Sequence, residues 1–106
     1  MKLTGKCKEQ FEEWYCNSVF ESHVEKEHYR LVLGDYFYIH SHSMKYGVYV
    51  DFFDSVGLYI NKLCPDSFEI QYGFDSYIDY SEVDRTRPEA RTKAIEKANE
   101  LLNERL

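Results

Sequence analysis

The chain has 106 residues, 17% of them aromatic, a composition that predicts one folded domain over residues 1–106 and excludes disorder as the default. The formal net charge of −6 argues against a general nucleic-acid binder, because such proteins need basic groups that displace counterions from phosphates. No apolar run approaches the length that spans a bilayer, and the first residues lack a signal-peptide pattern. The three cysteines have no metal-like spacing and are consistent with reduced thiols. We therefore expect a cytoplasmic protein with no membrane partner.

The negative charge is concentrated in the middle of the chain. Residues 31–84 contain two lysines and nine acidic residues, a balance of −7, whereas the segments before and after them are close to neutral. The same middle segment is rich in tyrosine and phenylalanine. An acidic, aromatic surface favours basic protein partners, although the same charge can serve solubility alone.

The first half of the chain begins with a helical pattern and then loses it. Apolar residues recur at intervals of three and four from residue 3 to residue 15, which predicts an amphipathic helix over residues 5–20, capped by Thr4. Residues 21–42 have no sustained apolar period, and we expect them to form an irregular segment. Within it, residues 29–33 either extend a helix or form a separate short turn, and Gly34 and Asp35 predict a break.

Residues 43–57 fit two patterns. As a helix, they place apolar side chains over about two-thirds of the circumference, which predicts a largely buried helix. The remaining narrow arc holds Asp51, Asp54 and Gly47, and the glycine would let another backbone approach. As a strand, the even positions from 44 to 52 are all apolar. We prefer the helix because Gly57 suits the left-handed position that ends one.

After Gly57 the hydrophobic period changes to two. The pattern predicts strands over residues 58–63, 68–74 and 77–83, with turns at residues 64–67 and at Asp75–Ser76. Thr86 precedes a glutamate by three residues and has a proline between, which predicts the start of a helix. We expect that helix to cover the apolar face of the sheet through Ile95, Ala98 and Leu102.

The predicted fold class is therefore α+β. The single domain runs in the order helix, irregular segment, helix, three-stranded antiparallel sheet and a C-terminal helix packed on the sheet.

Three blocks of the sequence, the opening at residues 4–12, residues 43–57 and residues 87–100, together cover roughly a third of the chain. In the same order, they resemble blocks of small uncharacterised proteins of Bacteroidetes phages and prophages. This chain departs from the family at His40-Ser41-His42, where a more apolar, proline-containing approach is expected. The resemblance implies a phage context and brings no established activity or site residues with it.

Two pairs of side chains are candidates for chemistry. Asp51 and Asp54 share one helical face. They can form a solvated stripe, hold a cation or act as an acid/base pair. They can also accept a basic group, either from a partner or from Arg85 or Arg87 of the same chain. His40 and His42 alternate, so in an extended segment they would face the same way, as two metal ligands do.

The sequence lacks the other motifs of catalysis. It has no glycine-rich phosphate loop, nucleophile elbow or paired-cysteine metal motif, and nothing near Cys16 or Cys64 marks an activating base. We therefore expect no metal, no cofactor and no catalytic activity.

The acidic, aromatic middle instead predicts a protein-interaction module. A basic nucleic-acid groove on a host defence or nucleic-acid-handling protein is a suitable target, because carboxylates can occupy it in place of phosphates. The alternatives are a small structural or accessory phage protein whose charge only keeps it in solution, and an acid/base or metal-dependent enzyme that uses Asp51 and Asp54 or His40 and His42. The residues predicted to bind the partner are Asp51, Asp54, Asp75, Tyr77, Asp79 and Glu82.

Overall fold

The structure is a computed structural model that describes residues 1–19, 24–64, 67–79 and 86–106. The described residues form an α+β fold with the C-terminal helix on the sheet, which confirms the predicted class. None of the described helices combines the length and the apolar composition that crossing a bilayer requires. The elements are α1 (Gly5–Trp14), a π-helical turn (Tyr15–Val19), a 3-10 turn (Lys26–His28), α2 (Tyr29–Tyr36), α3 (His42–Ser55), β1 (Leu58–Cys64), β2 (Ser67–Tyr72), β3 (Asp75–Asp79) and α4 (Arg87–Arg105).

Helix α1 follows the predicted apolar stripe, with Cys7 and Phe11 buried. The predicted helix over residues 5–20 is α-helical up to Trp14 and continues as a π-helical turn over Tyr15–Val19. Thr4 occupies the N-cap position, but its side chain makes no capping hydrogen bond to the helix. The Thr4 hydroxyl instead accepts a hydrogen bond from Nδ2 of Asn99 on α4, at 3.0 Å.

The segment predicted to be irregular contains a short separate helix, α2. This helix runs through Gly34 and Asp35, so the predicted break at these two residues is wrong. Burial explains the outcome, because Leu33 and Phe37 lie four residues apart and both enter the core. Packing of one apolar edge outweighs the weak helix propensity of the glycine.

Residues 42–55 form helix α3, which confirms the helical reading of this stretch. The Ser41 hydroxyl accepts a hydrogen bond from the backbone N–H of Met44, at 3.4 Å, and so caps the start. The end is the predicted one, because Gly57 follows the C-cap residue with φ of +84°, in the left-handed region that favours glycine.

Helix α3 is less buried than predicted. Its inner side buries Tyr49, Phe52 and Phe53, whereas Met44 is 55% exposed. Outside α3, no backbone of the described residues approaches Gly47, since a Cβ built there would meet none of their atoms within 4 Å. One broad side of the helix is therefore open.

The three strands form an antiparallel sheet in the order β1-β2-β3. Tyr72 pairs with Asp75, so Gly73 and Phe74 make a two-residue turn, and Gly73 has φ of +62°. The predicted turn at Asp75–Ser76 is wrong, because a glycine that adopts positive φ determines the hairpin more strongly than the Asp-Ser pair. The predicted extension of the third strand over residues 80–83 lies outside the described residues.

The other turn also differs from the sequence prediction. Cys64 belongs to β1 and pairs with Ser67, and the ladder register shifts between Lys62 and Cys64. Residues 65 and 66 of the predicted turn lie outside the described residues.

Helix α4 begins as predicted and covers the sheet. The Thr86 hydroxyl accepts from the backbone N–H of Glu89 at 3.3 Å and donates to the Glu89 carboxylate at 3.0 Å. Ile95, Ala98 and Leu102 are buried, and α4 packs against β1, β2, α1 and α3. The core is therefore shared by the helices and one face of the sheet.

Candidate functional site

The open side of α3 carries the clearest candidate site. Met44, Gly47, Asp51 and Asp54 are all exposed and follow one another at spacings of three or four residues, so they lie along one side of the helix. We call these four residues the outer α3 face. It presents one apolar side chain, one stretch of bare backbone and two carboxylates.

The aromatic core positions this face. The ring of Phe52 packs against Phe11 with centroids 5.4 Å apart and against Phe53 at 5.2 Å. Because both phenylalanines are buried, they fix the rotation of α3 about its axis. Asp51 and Asp54 flank the two rings in sequence and are turned outward as a consequence.

The two carboxylates of the outer α3 face have no partner in the described parts of the chain. Neither Asp51 nor Asp54 makes a hydrogen bond or ion pair there, and Arg87, a predicted partner, does not reach them. Arg85 lies outside the described residues. Partial burial raises the pKa of Asp54, and the charge of Asp51 three residues away adds to the rise. A cation brought to this face would relieve that repulsion.

The predicted residues of β3 lie in a different environment. Asp75, Tyr77 and Asp79 alternate along the strand and therefore share one face of the sheet. Tyr77 pairs with the buried Ile70, so the shared face is the one that α4 covers. Asp75 is exposed, whereas Tyr77 and Asp79 are half-buried. The last predicted residue, Glu82, lies outside the described residues.

The structure thus divides the predicted binding residues into two groups. Helix α3 packs against β1, at one edge of the sheet, and β3 forms the opposite edge. Asp51 and Asp54 therefore belong to one surface, and the residues of β3 belong to another.

Helix α4 brings basic groups to the acidic middle of the chain. The Lys97 Nζ atom lies 4.5 Å from the centroid of the Tyr77 ring. The guanidinium carbons of Arg91 and Arg105 lie 5.4 Å and 5.1 Å from the Tyr46 and Tyr72 rings. Each is a cation–π contact, worth about 0.5–1 kcal/mol at an exposed site. Three basic side chains of α4 therefore lie over tyrosines of the acidic middle segment, and one of them, Lys97, also pairs with Glu100 at 3.3 Å.

Sequence analysis did not identify the exposed apolar residues. At the tip of the β2–β3 hairpin, Phe74 is completely exposed, although its alternation with Tyr72 predicted a strand position. The sequence signal that could have identified Phe74 as exposed is the Gly73-Phe74 pair, because the glycine favours a turn there. Other large apolar residues exposed by 40% or more include Leu31, Ile39, Tyr59 and Ile78.

The two histidines do not form the predicted extended pair. His42 is the first residue of α3, and its Nε2 atom lies 3.1 Å from the Thr92 hydroxyl of α4. His40 precedes the helix in a turn, where its backbone N–H donates to the carbonyl of Phe37. Burial lowers the pKa of His42, assisted by the nearby positive charges of the chain's amino group, Arg91 and Lys45.

A metal site has no support in the described parts of the chain. No group of three or more histidine, cysteine, aspartate or glutamate side chains comes close enough there to hold an ion.

Neither described thiol is suited to nucleophilic chemistry. Cys7 and Cys16 are fully buried and form no disulfide. Burial raises the pKa of Cys7 to about 12, and burial together with the charge of Glu12 raises the pKa of Cys16. Both thiols therefore stay protonated at neutral pH, the unreactive form.

Comparison of the chain with protein-family models, with curated proteins and with solved structures found no match.

Proposed function

We propose that the protein is a non-catalytic interaction module whose outer α3 face receives basic side chains of a protein partner. The observation that carries the proposal is that Asp51 and Asp54 are exposed beside each other without a cation from the described residues. An arginine fits such a pair well, since its planar guanidinium donates several hydrogen bonds to carboxylates.

The binding energies expected for ion pairs and for apolar contacts give the two kinds of contact different roles on this face. An exposed ion pair contributes only about 0.2–1 kcal/mol, so two carboxylates cannot hold a partner tightly by themselves. Met44 supplies apolar area on the same face, and the absence of a side chain at Gly47 lets a partner approach the helix backbone closely. The carboxylates chiefly set specificity and the association rate.

The class of partner follows from charge and from the resemblance to phage proteins. The balance of −7 over residues 31–84 favours a basic surface. We propose a host defence or nucleic-acid-handling protein whose basic groove accepts carboxylates in place of phosphates. On this proposal the protein acts in the host cytoplasm as an inhibitor, without binding nucleic acid directly.

Charge reversal on the outer α3 face tests the proposal. The double variant D51K/D54K and a control, E13K/E104K, make the same change in net charge, and the control residues are exposed on other helices. Each protein is immobilised and used to capture proteins from a Bacteroidetes lysate at low and at high salt. We expect one partner that the wild type and the control retain, and that D51K/D54K and high salt release.

Two other outcomes would contradict the proposal. A partner that survives both D51K/D54K and high salt would indicate an apolar interface, and the acidic face would then have no role. If the partner is lost only when the charges of Asp75 and Asp79 are reversed, the interface lies at β3 instead. The alternative function, a structural or accessory phage protein, predicts that no host protein is captured.

A further inference from the structure

A small cavity opens between the start of the chain, α1, the residues after α2, and α3. Its volume is about 210 Å³, and its aromatic walls are the rings of Phe11, Tyr38 and Tyr49. The Phe11 and Tyr49 rings pack with centroids 5.0 Å apart and form the inner end, where both residues are nearly fully buried. Tyr38 is 48% exposed and lies towards solvent. For scale, an apolar cavity of about 150 Å³ holds a benzene ring.

One residue that lines the cavity has a polar group without a partner among the described residues. Tyr49 is 3% exposed, and its hydroxyl makes no hydrogen bond to any residue that the structure describes. The other buried tyrosine behaves normally, since the Tyr15 hydroxyl donates to the carbonyl of Tyr36 at 3.3 Å. Since the hydroxyl is not closed off from solvent, a group that enters the cavity can pair with it in place of water.

The charged side chains that line the cavity are both positive, although the protein as a whole is negative. Lys2 and Lys8 line it, and no carboxylate does. A larger cavity of about 430 Å³ between α1 and the start of α2 is lined by four glutamates together with Lys26 and Arg30. Lys2 makes no ion pair with a described residue, and Lys8 meets only Glu12, at 4.0 Å. Both ammonium groups are on exposed residues and remain available to an anion at the mouth.

We propose that this cavity binds a small aromatic carboxylate that carries a second polar group opposite the carboxylate. The ring occupies the space beside Phe11 and Tyr38, the carboxylate binds Lys2 and Lys8, and the second polar group pairs with the Tyr49 hydroxyl. A pocket of aromatic walls with a few polar groups that fix orientation is the usual form of a small-molecule site. The site is separate from the outer α3 face, and the proposal does not depend on the interaction proposed there.

Four related probes test the ligand class by NMR titration of the full chain. They are 4-hydroxybenzoate, benzoate without the second polar group, 4-cresol without the carboxylate, and 4-hydroxybenzylamine with the opposite charge. We expect 4-hydroxybenzoate to shift the amide signals of Leu3, Phe11 and Tyr49, and to bind roughly tenfold more tightly than benzoate. The amine should not bind. The proposal is overturned if no acid shifts these signals at millimolar concentration, or if 4-cresol binds as tightly as 4-hydroxybenzoate.

Two variants test the assigned roles. Tyr49→Phe keeps the ring and removes the hydroxyl, so the preference for 4-hydroxybenzoate over benzoate should disappear. The double variant K2M/K8M, at exposed positions, should weaken both acids to the same extent and leave the preference intact. A preference that persists in Tyr49→Phe would refute the role of the hydroxyl. Intermolecular NOEs from the ligand ring to Phe11 and Tyr49 decide its placement in the wild type, even if Tyr49→Phe does not fold.

Discussion

Helix α1 is capped from another helix, and that contact gives the sharpest stability prediction. The Asn103 side chain of α4 accepts from the backbone N–H of Cys7 at 2.9 Å and donates to the carbonyl of Thr4 at 2.9 Å. Asn99 accepts from the backbone N–H of Thr4 at 2.8 Å. Asn103 also lies close to Gly5, where a Cβ atom would sit 3.0 Å from its Oδ1. The two asparagines replace the cap that the Thr4 side chain does not supply.

We expect Asn103→Ala to destabilise the protein by about 1–2 kcal/mol. Two hydrogen bonds are lost, each worth about 0.5–1.5 kcal/mol, and the Cys7 N–H loses its cap. Alanine recovers about 0.6 kcal/mol through its higher helix propensity. For a domain of this size the melting temperature should fall by about 4–12 °C.

The assay is thermal unfolding, with Glu104→Ala as the matched control. Glu104 is the next residue on the same helix, is exposed and makes no hydrogen bond or ion pair with a described residue, so its replacement leaves the cap of α1 intact. Amide hydrogen exchange gives a local check, because the Cys7 amide should exchange faster in Asn103→Ala than in the control. Equal melting temperatures for the two variants, with the Cys7 amide equally protected, would refute the capping argument.

The packing of α4 and the electrostatics of α3 give two further predictions. Ile95→Asp should unfold the domain, since Ile95 is fully buried and the variant places an unpaired charge in the core, whereas Ile95→Val should cost only about 0.5–1.5 kcal/mol. An unchanged melting temperature in Ile95→Asp would show that α4 does not contribute to the core. Asp54→Asn should melt above the wild type at neutral pH, because a carboxyl whose folded pKa is raised opposes folding once it ionises. The difference should close as the pH falls below the carboxyl's ordinary pKa, where both states are protonated, and a difference that persists there would exclude ionisation as its cause.

The parts of the fold that the sequence predicts well are those with local causes. Gly57 ends α3 because its left-handed backbone needs no side chain, and that requirement is visible in the sequence. The Thr86–Glu89 capping contact is equally local, since both partners lie within one turn of helix. Neither feature depends on which other element packs nearby.

The positions of the hairpin turn and of the break were wrongly predicted because apolar periodicity alone does not locate either of them. The hairpin turns at Gly73 because the pairing of β2 with β3 requires a left-handed residue there, and alternation alone extends the strand through Phe74. The break expected at Gly34 is absent because Leu33 and Phe37 pack into a core supplied by distant residues. Sequence periodicity contains no information on either contact.

The same distinction between local and distant causes applies to the candidate site. The outward direction of Asp51 and Asp54 is predictable, because the rotation of an amphipathic helix follows from its own apolar residues. The direction of Tyr77 and Asp79 is not, since alternation shows that they share a face and leaves open which face α4 covers. The cavity at Tyr49 depends on residues from three separate segments and is visible only in the structure.

The balance of charge along the sequence therefore overstates the acidity of one side of the molecule. Residues 31–84 carry −7, but three basic residues of α4 lie over tyrosines of that same segment, at Tyr46, Tyr72 and Tyr77. On that side the chain supplies its own cations, and a basic partner would have to displace them. On the outer α3 face no described cation pairs with Asp51 or Asp54, so the basic groups of the proposed partner would have none to displace. If charge selects the partner, the charge reversal that should abolish binding is the one at Asp51 and Asp54 on α3.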